Sequence, residues 1–148
     1  MLLNVVLKFM DDQGTSSSLL HALSGHVARR PDVNACGWLN ENGALSEALT
    51  YGQLWQRVVE LAEELRDRTR PGDRVLLMYG PGLEFVSAFL GCLAAGVIAV
   101  PAYPPRNRRH HARLNEVVRD AESELVLVVD AGGTRIDDWL AGLANAPQ

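Results

Sequence analysis

The chain has 148 residues, 47% of them apolar and 22% charged, which suits one folded domain or a piece of one and excludes wholesale disorder. Fourteen Lys and Arg against eighteen Asp and Glu leave a net charge of −4, which argues against a dedicated nucleic-acid binder. No stretch reaches the roughly 18 apolar residues that cross a bilayer, no basic region opens the chain, and two cysteines without a CxxC are too few for a disulfide framework, so a cytoplasmic protein with no membrane span is expected.

Residues 1–18 read as an N-terminal segment and Ser-rich linker, and residues 19–148 as the folded part. Ser16–Ser18 offers a hydroxyl cap for a helix. That helix would set Leu19, Leu20, Leu23 and Val27 on one face and stop at Pro31. Two short strands are predicted at 35–39 and 45–49. Between them, Asn40-Glu41-Asn42-Gly43 carries an Asn-Gly dipeptide, and both residues tolerate the positive φ of a tight hairpin.

Thr50-Tyr51-Gly52-Gln53 fits a capping box, a hydroxyl at the cap with Gln three residues on. The helix it opens has Leu54, Trp55, Val58, Leu61, Ala62 and Leu65 at helical spacing, with Glu60, Glu63, Glu64 and Arg66–Arg70 on a solvated face. Pro71-Gly72-Asp73 makes a turn. Arg74–Tyr79 is an uninterrupted apolar run after its first residue, which suits a parallel strand covered on both faces. Gly80-Pro81-Gly82 breaks it. Leu83–Ala95 is apolar almost all round and is expected to be a buried helix, with Cys92 a small buried hydrophobe and Gly96 its stop.

Val97–Val100 is a second buried strand, which Pro101-Ala102-Tyr103-Pro104-Pro105 should end, since proline has no donor for a sheet interior. An amphipathic helix follows with Leu114, Val117, Val118 and Ala121. Leu125–Val129 is a third buried strand, and Ile136, Trp139, Leu140 and Leu143 form a last helical face. Strands that alternate with helices imply parallel pairing.

In such a sheet, ligands bind beyond the carboxyl ends of the strands. Those ends are Gly80-Pro81-Gly82, Pro101–Pro105 and Asp130-Ala131-Gly132-Gly133. The first fails as a dinucleotide fingerprint, because Phe85 stands where the third glycine belongs. No GxxxxGK[ST] exists, and Lys8 is the only lysine. His21 and His26 are five apart, and adjacent His110 and His111 diverge, so neither pair has zinc-helix spacing. No GxSxG marks a nucleophile. Neither a catalytic residue nor a metal ligand is therefore assigned.

Five of thirteen arginines, Arg106, Arg108, Arg109, Arg113 and Arg119, fall within fourteen residues. A planar, permanently charged guanidinium suits phosphate, so Arg106, Arg108 and Arg109 are the candidate phosphate or carrier contacts. Glu116, Asp120, Glu122 and Glu124 partly neutralise the stretch, and a solvated helix face with internal ion pairs is the plainer reading.

Leu49-Thr50-Tyr51-Gly52-Gln53-Leu54, Pro71-Gly72-Asp73-Arg74-Val75 and Gly82-Leu83-Glu84-Phe85 through Gly96 and Val97–Pro101 together resemble the opening of adenylate-forming enzymes. Ala99-Val100-Pro101-Ala102-Tyr103-Pro104-Pro105-Arg106 is most similar to the fatty acyl-AMP ligases of that superfamily. The resemblance covers a little over half of the chain, from Leu49 to about Asp130. It implies an α/β fold: a partial parallel sheet flanked by helices, preceded by an N-terminal helix and a β-hairpin, as an incomplete piece of the large domain.

The resemblance also implies activation of a fatty acid by attack of its carboxylate on the ATP α-phosphorus, with Mg²⁺. Transfer to an acyl carrier protein would follow. The Ser/Thr/Gly-rich phosphate loop ending in Pro-Lys-Gly, the ribose-binding acid, the adenine segment and the lysine of the small domain are not found here. In a complete member they would lie beyond Gln148. No cofactor is therefore assigned to this chain, and it is expected to be inactive alone. The alternative is a non-catalytic interaction module that meets a carrier protein through Arg106–Arg113.

Overall fold

The computed structural model describes residues 18–105, 108–123, 125–129 and 139–141, with only the backbone of residues 108–110. Lys8 and the rest of residues 1–17, Arg106, Asp130–Gly133, Ile136 and Leu143 lie outside the described residues.

Helix α1 (Leu19–Arg29) starts at Ser18, whose Oγ accepts from the His21 amide at 3.2 Å. Leu23 is buried, and Leu20 and Val27 pack beside it. Leu19 departs from the expected stripe and is 59% exposed. It is the first residue of the helix.

Strands β1 (Asn34–Leu39) and β2 (Leu45–Thr50) form the expected antiparallel hairpin. Its turn is built differently from the expectation. Gly43 has φ +76° and Asn42 does not enter the positive region. Asn40 closes the turn instead, its Oδ1 accepting from the amides of Asn42 and Ala44, both at 3.0 Å. A side-chain acceptor there replaces the second left-handed residue.

The capping box opens α2 (Tyr51–Arg68). Gln53 N–H donates to Thr50 Oγ1 at 3.2 Å, and Thr50 N–H donates to Gln53 Oε1 at 3.0 Å. Leu54, Trp55, Val58, Ala62 and Leu65 are buried as expected, with Val59 added. The charged face is exposed, and Arg66 reaches over to donate to the Ala94 carbonyl.

Strand β3 (Arg74–Met78) is the centre of a parallel sheet ordered β4–β3–β5, with β4 at Ile98–Ala102 and β5 at Leu125–Val128. Its side chains alternate between two cores. Val75 and Leu77 join the larger core with α2 and helix α3 (Leu83–Ala95). Leu76 and Met78 join Leu114 and Trp139 on the other face. Helix α4 (Arg108–Ala121) lies there, beside a helical turn at residues 139–141. The reading of Arg74–Tyr79 as a strand covered on both faces thus holds through Met78. Cys92 is fully buried, which pushes its thiol up to about 11. Gly96, at φ +78°, stops α3 as expected.

Two strand expectations need correction. Pro101 does not end β4; it pairs with Leu77, and Ala102 pairs with Met78. Among the described residues β4 has β3 as its one partner in the sheet, and an edge strand can turn a missing donor outward. Nor are β4 and β5 buried strands: Ile98 is 51% exposed, and every residue of β5 is half-buried. Among the described residues only β3 has neighbours on both sides.

Candidate functional site

The turns at the amino ends of the strands are tied together by backbone. Gly72 N–H donates to Gly96 O at 2.9 Å and Ile98 N–H to Asp73 O at 2.8 Å. Asp73 Oδ2 also accepts from the Arg70 amide at 2.7 Å. These bonds hold the strands in register and leave the opposite, carboxyl end to carry a site.

A groove of about 540 Å³ opens at that end. Pro81, in the turn after β3, forms one side. Pro101 and Ala102 at the end of β4, with Tyr103 and Pro104 after them, form the second. Arg113, Leu114 and Val117 of α4 form the third. Leu114 is buried in the smaller core and fixes α4 against the sheet, while Tyr103 is 69% exposed at the mouth. Arg113 and Val117 are one turn apart on the same helix face. Among the described residues, the side chains of the lining are mostly apolar and one is charged, that of Arg113. It suits an amphipathic ligand whose anionic part meets the guanidinium.

Two of the three strand ends singled out in the sequence therefore converge; Asp130–Gly133 lies outside the described residues. Of the candidate arginines, Arg106 is outside them too. Arg108 and Arg109 open α4, with their side chains outside the description. Among the described side chains of the cluster, Arg113 lines the groove. It stands at the end of the Arg106–Arg113 stretch, and its one-turn spacing from Val117 is the sequence signal that sets it on the groove side of the helix. Beyond Arg113, Glu116, Arg119 and Asp120 border a second depression of about 610 Å³. Acids and bases are mixed there, and Glu122 pairs across to Arg74 at 3.4 Å rather than within its own helix.

Tyr79 sits between β3 and the Pro81 turn. Burial pushes its phenol up, and Cys92, Glu84 and Glu64 push the same way. His21 and His111 are not joined, among the described residues, to any group of three or more His, Cys, Asp and Glu side chains able to hold a metal. His26 packs on Tyr51. No helix among the described residues is long and apolar enough to cross a membrane.

A family model described as AMP-binding enzyme matches residues 23–146. The long-chain-fatty-acid–AMP ligase FadD23 of Mycobacterium tuberculosis (strain CDC 1551 / Oshkosh) is 35% identical over 119 residues, which cover 78% of this chain and 20% of that protein. The long-chain-fatty-acid–AMP ligase FadD26 of Mycobacterium marinum is 34% identical over 120 residues, 79% of this chain and 20% of that protein. The crystal structure of a fatty acid AMP ligase from Legionella pneumophila superposes with a TM-score of 0.72 at 36% identity, over 78% of this chain and 20% of that one. The chain thus spans about one fifth of the length of these relatives.

Proposed function

This chain belongs to the AMP-binding enzyme family, and on that premise we propose that it is the N-terminal part of an ATP-dependent fatty acyl-AMP ligase. Its role is to build the first strands of the large domain and one wall of the substrate region. The observation that carries this is the groove where the ends of β3 and β4 meet α4, lined mostly by apolar side chains with Arg113 on its third side. Such a surface takes an alkyl chain more readily than a polyphosphate. An alkyl chain gains from leaving water, whereas a triphosphate needs several cationic or amide donors.

The reaction of the whole enzyme joins a carboxylate oxygen to the α-phosphorus and releases pyrophosphate. The described residues do not fit the ATP and Mg²⁺ end of that reaction. Among the described residues, Arg113 is the one charged side chain of the groove, and no three His, Cys, Asp or Glu side chains converge on a metal-sized site. No step is therefore assigned to this chain. Its residues line, position and exclude water, and alone it forms no acyl-adenylate. Delivery of the acyl group to a carrier protein belongs to the same proposal, with Arg106, Arg108 and Arg109 as its candidate contacts.

A segment exchange tests the reading. Residues 23–146 replace the matching segment of the Legionella pneumophila ligase, and fatty-acid-dependent ATP–pyrophosphate exchange is measured beside the parent and the 148-residue chain. Exchange by the chimera and none by the short chain is expected. A folded, monodisperse chimera without exchange, or exchange by the short chain alone, overturns the proposal.

A further inference from the structure

Three side chains fasten the end of α1 to the start of α2. Arg30 Nη2 lies 2.9 Å from His26 Nδ1. The His26 ring packs on Tyr51 with centroids 4.9 Å apart and planes inclined by 33°, and Arg30 Cζ stands 5.3 Å from the centre of the same ring. Behind this cluster, Tyr51 N–H donates to Val33 O at 3.0 Å and Gly52 N–H to Pro31 O at 2.8 Å. The first amides of a helix have no partner within it. Here two of them depend on the segment that leaves α1.

A guanidinium only donates and keeps its charge. Nδ1 of His26 must then hold a lone pair, with the ring proton on Nε2. Protonation at Nδ1 turns the acceptor into a donor and sets two cations side by side. We propose that His26, Arg30 and Tyr51 form a pH-sensitive clasp, which keeps the α1–α2 junction closed while His26 is neutral and releases it when His26 is protonated.

The charged groups that act on His26 are Arg30 and Arg29, both cationic; from α2 it faces the Tyr51 ring. Desolvation first, then Arg30 and Arg29, hold its pKa below the ordinary 6.5. With a depressed pKa, the open state binds the proton first. Closure therefore has its full strength above pH 6.5 and weakens as pH falls through the lower value of the closed state. Leu20, Leu23 and Val27 keep α1 on the core, so release is confined to its last turn and to residues 30–33. The clasp shares no residue with the lining of the groove and does not depend on the adenylation reading.

The test is an NMR titration of the full chain from about pH 8 to pH 5. It follows the His26 ring and hydrogen-exchange protection at Tyr51 and Gly52, with Arg30→Gln and His26→Phe alongside. His26 is expected to titrate below 6.5, and Arg30→Gln to move its midpoint upward. Protection of both amides should fall with the His26 midpoint, and His26→Phe should abolish that dependence. A midpoint at or above 6.5 that Arg30→Gln leaves in place, or amide protection that ignores the midpoint, overturns the proposal.

Discussion

Gly91 of α3 is the hollow into which Leu61 of α2 packs: a Cβ built on Gly91 would lie 2.7 Å from Leu61 Cδ2 and 3.1 Å from Leu61 Cβ. The nearest atom could swing away, but the Leu61 Cβ is fixed to its own helix. Gly91→Ala therefore pushes the two helices apart. Overpacking of this kind costs about 1–3 kcal/mol, against a gain of up to about 1 kcal/mol from removing glycine from a helix interior. Net destabilisation is expected in urea unfolding. The double variant Gly91→Ala/Leu61→Ala should be less destabilised than the sum of the two single changes, because it removes the two nearest contacts, with Leu61 Cδ2 at 2.7 Å and Cγ at 3.0 Å, and leaves the one with Cβ.

Thr50→Ala should lower stability by about 1 kcal/mol, the usual cost of losing a hydroxyl cap. Gln53→Ala, which leaves the Thr50 hydroxyl on the Gln53 amide, should cost less. Thermal unfolding of the two variants measures the order, and equal losses would contradict the capping geometry.

Trp139 is 1% exposed, and its Nε1–H donates to Asn115 Oδ1 at 2.8 Å. Asn115→Ala strands a buried donor and should cost about 1–3 kcal/mol. Trp139→Phe removes the donor and leaves the half-buried Asn115 able to reach water. The hydrogen-bond part of its loss should be smaller, so adding Asn115→Ala to Trp139→Phe should cost little more than Trp139→Phe alone. A double-mutant cycle in urea checks this.

Cys92 and Cys36 should differ in reactivity. Both thiols are raised by burial, but Cys92 is fully buried and reaches about 11, whereas Cys36 is half-buried. Timed alkylation at about pH 8 followed by peptide mass spectrometry should label Cys36 first. The raised value also sets a pH limit. The neutral Cys92 thiol is favoured in the folded state, so its contribution is complete below the ordinary value of 9.0 and is lost as pH rises through about 11. That loss is on the order of 2–3 kcal/mol. A Cys92→Ala variant should show a flatter decline of stability with pH in that window.

Local chemistry made most elements legible. The Thr50–Gln53 box, the Gly96 stop and the apolar run at Arg74–Met78 each have one cheap structural solution, and the fold adopts it. Pro101 was misread because a missing donor excludes only a strand bonded on both sides. Whether a strand stands at an edge depends on neighbours that its own residues do not reveal. For the same reason β4 and β5 read as buried. At the groove, the strand-end rule found Pro81 and Pro101–Pro104. Arg113 needed the phase of α4 as well, and residues 106–109 drew attention through density of charge alone. The partnership of His26 with Tyr51 had no signal in spacing, since it joins two helices that the β1–β2 hairpin separates in sequence.

Three of the eight described residues around the groove, Pro81, Pro101 and Pro104, are prolines. A proline ring fixes φ before any ligand arrives, so this wall has little freedom left to lose on binding. Ordering would fall on the two side chains at the mouth, Tyr103 and Arg113. Ligands that leave those two mobile would meet a preformed surface at low entropic cost. Discrimination between ligands would then rest on what each offers to a single ring and a single guanidinium.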